Sequence, residues 1–186
     1  MIQFLGDVHG KIAQIPNCGI NTIQVGDLGV GFASCKNLPD NFRFIRGNHD
    51  NPSLCRKMPE YLGDFGYAMD ERLFFVSGAD SVDAKYRTIG IDWWADEELS
   101  WSQWDVVVES YHGAQIVVSH DCPQFVAEQF FGITHKSLTR WGLELMYNKA
   151  SPKFWVFGHH HKSMRESIGN TTFICLDKLE TVQMDF

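Results

Sequence analysis

Five short polar clusters hold the residue types that metal chemistry needs: Asp7-Val8-His9, Asp27, Asn48-His49-Asp50, His120 and His159-His160-His161. Each comes directly after an apolar run, at Met1–Leu5, Thr22–Val25, Phe42–Ile45, Ala114–Val118 and Phe154–Phe157. Runs of this length and composition read as buried strands. In an open α/β sheet the carboxyl ends of the strands are where ligands bind. A single histidine or turn aspartate is more often structural than functional, but five coincidences at five strand ends favour a common site. The donors of Asp7, His9, Asp27, Asn48, His49, His120, His159 and His161 would converge there. That is too many for one divalent ion and suits two sharing a carboxylate, with room for water and substrate. Imidazole mixed with carboxylate and carboxamide points to manganese first, with iron, zinc or nickel as alternatives to oxygen-bound magnesium or calcium.

Two dications about 3.5–4 Å apart acidify a bridging water and clamp phosphoryl oxygens for in-line attack on phosphorus. His49 is a candidate to protonate a leaving alkoxide, with Asp50 orienting its ring. Arg46 offers a planar fork for a phosphate oxygen, in competition with a structural salt bridge. Arg87 and Tyr86 are weaker candidates of the same kind, and His112, His135 and His160 are read as bystanders.

The strands and helices that must position these groups follow one another closely. After Phe42–Ile45, Asn51-Pro52 opens a short helical stretch through Leu54 and Met58 that Pro59 stops. Leu73–Val76 and Thr88–Ile91 read as strands, the second running into Asp92-Trp93-Trp94 and the acidic Asp96-Glu97-Glu98. Adjacent tryptophans in a strand point to opposite faces, and core packing is favoured over a ligand role for them. Ser100 and Gln103 form a capping box, with Trp101, Trp104 and Val108 as the expected apolar face. Phe125–Phe131 and Ser137–Asn148 are expected covering helices, the latter with Leu138, Trp141, Leu145 and Met146 at helical spacing. Met164–Ile168, Thr171–Leu176 and Thr181–Met184 read as a hairpin plus one strand, a second sheet at the carboxyl end.

The 186 residues suit a single domain over 1–186 with a continuous core. A formal charge of −7 and the lack of any basic run disfavour binding to extended nucleic acid. No apolar run approaches the roughly 20 residues that span a bilayer. Five cysteines at 18, 35, 55, 122 and 175 are scattered and odd in number, and no export signal is evident. A cytoplasmic protein without membrane contact is the expectation, while the oligomeric state is left open.

The ordered set Asp7-x-His9, Gly26-Asp27, Gly47-Asn48-His49-Asp50, His120 and Gly158-His159-x-His161 resembles the calcineurin-like metallophosphoesterase superfamily. The resemblance spans residues 6 to 161 and implies a four-layer α/β/β/α sandwich of two mixed sheets. It also implies that Asp7, His9, Asp27 and His161 hold one metal and Asp27, Asn48, His120 and His159 the other, Asp27 bridging. The first and third motifs are similar to those of Ser/Thr protein phosphatases, whose second motif is Gly-Asp-x-Val-Asp-Arg-Gly. Here it reads Gly26-Asp27-Leu28-Gly29-Val30-Gly31-Phe32, without the phosphate-gripping arginine. The expected activity is hydrolysis of a phosphomonoester, on a small phosphorylated substrate or a phosphoprotein. The alternatives are a phosphodiesterase acting on cyclic nucleotides or nucleic-acid ends, and a non-catalytic protein-binding scaffold.

Overall fold

A computed structural model describes residues 1–16 and 20–185. Its elements run β1 (Ile2–Leu5), β2 (Thr22–Gln24), β3 (Phe42–Phe44), α1 (Pro52–Cys55), β4 (Phe65–Ala68), β5 (Leu73–Val76), α2 (Trp101–Ser110), β6 (Ile116–Ser119), α3 (Gln124–Phe131), α4 (Leu138–Lys149), β7 (Phe154–Phe157), β8 (Met164–Ile168), β9 (Thr171–Cys175) and β10 (Thr181–Met184). The protein is α/β, with a four-stranded sheet in the order β10-β1-β2-β3 and a six-stranded sheet in the order β4-β5-β6-β7-β9-β8. Both sheets are mixed. β1, β2 and β3 are parallel with β10 antiparallel at the edge, while β5, β6, β7 and β9 are parallel between antiparallel β4 and β8.

The alternation of side chains along each strand assigns them to separate cores. Ile2 and Phe4 of β1, Leu73 and Phe75 of β5, Ile116 and Val118 of β6, and Val156 of β7 share one cluster fed by both sheets. The opposite faces of β5, β6 and β7 supply Phe74, Val76, Val117, Trp155 and Phe157 to a second cluster with α2, α3 and α4. A third gathers Leu5, Phe42 and Phe44 with Val8, Leu28, Val30 and Cys55 around α1. Because both faces of the parallel strands are covered, those strands read as continuous apolar runs. Gly142 of α4 lets that helix lie against α2, since a Cβ there would stand 2.6 Å from Trp104 Cε2. Among the described residues no helix is long and apolar enough to cross a membrane.

Several expectations change. The carboxyl-terminal strands form no sheet of their own: β8 and β9 extend the six-stranded sheet through β7, and β10 returns to pair with β1. Consequently the five candidate clusters end strands of two sheets rather than one. Thr88–Ile91 is not a strand. Gly90 at φ +79° turns the chain, the Thr88 carbonyl accepts the N–H groups of Ile91, Asp92 and Trp93, and Ile89 and Ile91 are exposed. β4 carries no strand expectation, because Gly66 and Ala68 dilute the signal of Phe65 and Tyr67, and it is held by pairing with β5. On α2 the buried residues are Trp104 and Val107, whereas Trp101 lies outside against Trp141, ring centroids 4.9 Å apart. The α4 stripe likewise runs through Thr139, Gly142, Leu143 and Met146. Cys35, Cys55, Cys122 and Cys175 are free thiols, while Cys18 lies outside the described residues.

Candidate metal centre

The loops after β1, β2, β3, β6 and β7 meet at one end of the two sheets. Main-chain bonds lock them together: Val8 and His9 donate N–H groups to the Asp27 carbonyl at 3.0 and 2.8 Å, and Gly158 donates to the His120 carbonyl at 3.1 Å. His9, Asp27, His159 and His161 all adopt left-handed backbone, at φ +48°, +60°, +66° and +47°. Aspartate and histidine tolerate that region better than most side chains, and such conformations gather at functional sites.

Asp7 is fully buried and its carboxylate accepts the His159 N–H at 3.2 Å from each oxygen. Asp27, equally buried, accepts the His49 N–H at 2.8 Å through Oδ1. His161 Nε2 lies 3.2 Å from Asp7 Oδ2, and His9 Nε2 lies 3.8 Å from Asp7 Oδ2 and 3.7 Å from Asp27 Oδ2. His9 Nε2 and His161 Nε2 are 2.8 Å apart. These four residues turn one ligand atom each toward a common point, all within 4.8 Å of one another, and can hold a metal ion.

On the other side of Asp27, His120 is anchored through Nδ1 to the Val25 carbonyl at 2.9 Å. Its Nε2 therefore faces Asp27 Oδ1 and Asn48 Oδ1, both at 3.3 Å. Asn48 donates its amide to Ser81 Oγ at 3.1 Å, which fixes the carbonyl end toward His120 and toward His159 Nδ1 at 3.1 Å. Two imidazole nitrogens, a carboxylate oxygen and a carboxamide oxygen thus converge here, held together in the metal-free protein by the ring N–H groups. Glycines keep the backbone clear of these donors. A Cβ on Gly47 would collide with Asp27 Oδ1 and stand 2.6 Å from His120 Nε2, and one on Gly158 would collide with Asp7 Oδ1.

The electrostatics follow from close packing. Burial alone would lower the His120 imidazole, but the adjacent Asp27 carboxylate overrides it and takes the ring up to about 10. Reciprocally, burial works to raise Asp27 and the His120 pair holds it well below the usual carboxylate range. His159 is pushed down to about 3, by burial first and by His120 among its neighbours. Burial thus favours its neutral form.

Two residues expected at the chemistry stand elsewhere. The Asp50 carboxylate is fully buried and takes four main-chain donors, Leu28 at 3.2 Å, Gly29 at 2.7 Å, Val30 at 2.8 Å and Gly47 at 2.9 Å. It ties the loop after β2 to the loop after β3 and is not the partner of the His49 ring. Arg46 is also fully buried, its Nε on Asp64 Oδ1 at 3.1 Å and its Nη1 on the Glu97 carbonyl at 2.5 Å. A buried guanidinium needs such partners, and this one has the structural salt bridge rather than a place in the cavity.

An open cavity of about 410 Å³ adjoins the cluster, with Asp27, Asn48, His49, Arg87, His159 and His161 among its walls. His49 Nε2 contacts Arg87 Nη2 at 2.9 Å. A guanidinium only donates, so that ring nitrogen is the acceptor. Arg87 is thus a residue of the site, whereas Tyr86 is 80% exposed. His112 packs on Tyr67, His135 pairs with Asp80 at 2.8 Å, and His160 stacks on Phe131 at 4.0 Å.

Three supporting residues escaped the sequence. Ser81 lies among the turn formers of Ser77–Asp83 and Glu97 in an acidic run, yet the buried Glu97 carboxylate accepts the Ser81 N–H at 2.7 Å and hydroxyl at 2.8 Å. Asp121 follows a candidate ligand and is buried between His160 at 3.1 Å and Arg140 at 2.7 Å; burial works to raise its carboxyl, and neighbouring His159, the His160 hydrogen bond and the Arg140 guanidinium hold it well below the usual range. Only its adjacency to His120 could have signalled it.

The chain matches no family model and no curated protein at a significant level.

Proposed function

We propose that the chain is a dinuclear-metal phosphoesterase of the calcineurin-like type, acting on a phosphomonoester. The observation that carries this reading is the pair of donor sets sharing Asp27: Asp7, His9 and His161 on one side, Asn48, His120 and His159 on the other. Two sheets that contribute to one core, with helices α2–α4 on one outer side and α1 on the other, agree with a four-layer α/β/β/α sandwich. Manganese is the favoured ion, since the donors mix imidazole with hard oxygen.

Bound divalent ions would supply a nucleophilic water and neutralise charge at phosphorus. The chain's own residues do the remainder. Asp50 and Gly47 hold the Asp27 and Asn48 loops in register. Ser81 and Glu97 keep the Asn48 carbonyl aimed at the centre. His49, at the cavity wall and outside both donor sets, accepts from Arg87 at Nε2; once Arg87 turns to the phosphoryl group, that nitrogen takes up a proton from water and passes it to the leaving oxygen.

The test is hydrolysis of 4-nitrophenyl phosphate and bis(4-nitrophenyl) phosphate by metal-stripped protein with manganese, nickel, zinc or magnesium restored. Manganese-dependent turnover of the monoester, with two ions per chain, is expected. A preference for the diester would replace this reading with a phosphodiesterase, and inactivity with both ions bound would replace it with a scaffold. His49→Asn should lose most turnover on a poor leaving group while keeping both ions.

A further inference from the structure

We infer that the site takes a small phosphomonoester whose leaving group is a neutral aromatic, with Arg87 gripping the phosphoryl oxygens and Phe32 with Trp94 receiving the ring. The inference rests on the proposed phosphoesterase reading and names its substrate class. Two arginines line the cavity. Arg140 is 1% exposed and committed to Asp121 at 2.7 Å and the His135 carbonyl at 3.0 Å. Arg87 is differently placed. Its Nη2 sits between His49 Nε2 at 2.9 Å and Asp83 Oδ1 at 2.7 Å, and the Asp83 side chain is half-exposed. The Arg87 side chain is 9% exposed, with Nη1 3.4 Å from the Asp92 carbonyl, and the pair meets solvent on the Asp83 side, where a dianionic phosphoryl group that matches the planar guanidinium fork replaces the single Asp83 carboxylate.

The leaving group must lie on the His49 side, where its oxygen receives a proton. Phe32 stands there, 48% exposed, its ring centroid 6.3 Å from that of His49 and edge-on to Trp94 at 5.5 Å. Val82, 65% exposed, is on the cavity wall. A large exposed aromatic braced by a second one, beside a polar cavity, is a shelf for a flat apolar group. Charge on the Val82 side of the cavity disfavours the obvious competitors. Asp80 and Asp83 stand on the same wall, so a leaving group bearing further phosphates, such as a polyphosphate or a nucleic-acid strand, meets like charge.

Calorimetric titration of manganese-loaded protein with methylphosphonate, phenylphosphonate and 4-phosphonobenzoate separates these contributions without turnover. Phenylphosphonate should bind about tenfold tighter than methylphosphonate, a typical return for one aromatic contact. The carboxylated analogue should fall below phenylphosphonate. Phe32→Ala should abolish the phenyl preference and leave methylphosphonate unchanged. Arg87→Ala should weaken methyl- and phenylphosphonate alike by about tenfold or more, as loss of a charge-assisted fork does, with Arg87→Lys recovering part of the loss. Equal affinity for the two in the parent protein, or no effect of either Arg87 substitution, would overturn the inference. Metal content measured on each sample keeps the two readings apart: a parent protein that binds no metal sinks the phosphoesterase reading, whereas two bound ions without these preferences sink only the substrate assignment.

Discussion

Asp50→Asn separates a carboxylate that braces the site from one that serves the catalytic histidine. The native carboxylate satisfies four buried N–H groups, those of Leu28, Gly29, Val30 and Gly47. An asparagine can keep its carbonyl on the two shortest, Gly29 and Val30, but then turns an NH2 group toward Leu28 and Gly47. Two buried donors lose their acceptor at about 1–3 kcal/mol each, so a loss of roughly 2–4 kcal/mol is expected after partial relaxation. For a chain of this size that lowers the melting midpoint by roughly 5–15 °C. Asp50→Ala strands all four donors and approaches the whole stability of an average domain, about 5–15 kcal/mol. Burial first, and Asp27 second, push Asp50 up to about 7, against the pull of its amide donors. A carboxyl raised in the folded state contributes less stability as pH climbs from its ordinary value near 3.8 toward 7, so the Asn variant should show a flatter profile there. Urea and thermal unfolding of metal-free protein measure both quantities. Turnover should fall equally on good and poor leaving groups, because the Asp27 and Asn48 loops move together. An unchanged midpoint, with loss confined to poor leaving groups, would refute the bracing role and restore Asp50 as the partner of His49.

His120 offers a second test. Held up to about 10 beside Asp27, it carries a proton at pH 7 in the metal-free protein, so metal binding should release about one proton per chain and weaken as pH falls. Calorimetry in two buffers of different ionisation enthalpy counts that proton. The same raised value stabilises the metal-free fold below about 6.5, the unfolded value, and that contribution is lost as pH rises through 10. Gly47→Ala should retain secondary structure by circular dichroism yet lose metal, since its Cβ would intrude on Asp27 Oδ1 and His120 Nε2; full metal content would count against the site. Ser81→Ala releases the Asn48 amide and should weaken binding at one ion by about 10–100-fold, the usual loss for an outer partner of a ligand. Glu97→Gln, which forces the Ser81 hydroxyl to turn round, should act in the same direction.

How much of this could be read without coordinates depends on whether the signal is local. Strand character shows in composition, so β1, β2, β3, β5, β6, β7, β8, β9 and β10 were legible, and so was the occurrence of a donor directly after five of them. The capping box at Ser100 and Gln103 was legible for the same reason. Pairing is not local. A period of two says that a run is a strand but not which run lies beside it, so the division into two sheets and the return of β10 to β1 were decided by tertiary packing. Thr88–Ile91 had a strand's residues but makes only an isolated bridge from Ile89 to Trp93, while β4, diluted by Gly66 and Ala68, acquired a full partner in β5. The same limit governs the roles of charged groups. Asp50 and Arg46 sit in the most suggestive motif of the chain, and their types allowed either chemistry or support. Only the fold brings four unpaired amides to one and Asp64 to the other, and a buried charge goes where its desolvation is offset. Conversely Arg87, Ser81 and Glu97 carry no motif. They enter the site because the chain folds back over the end of β3, a contact set by distance in space and absent from spacing in sequence.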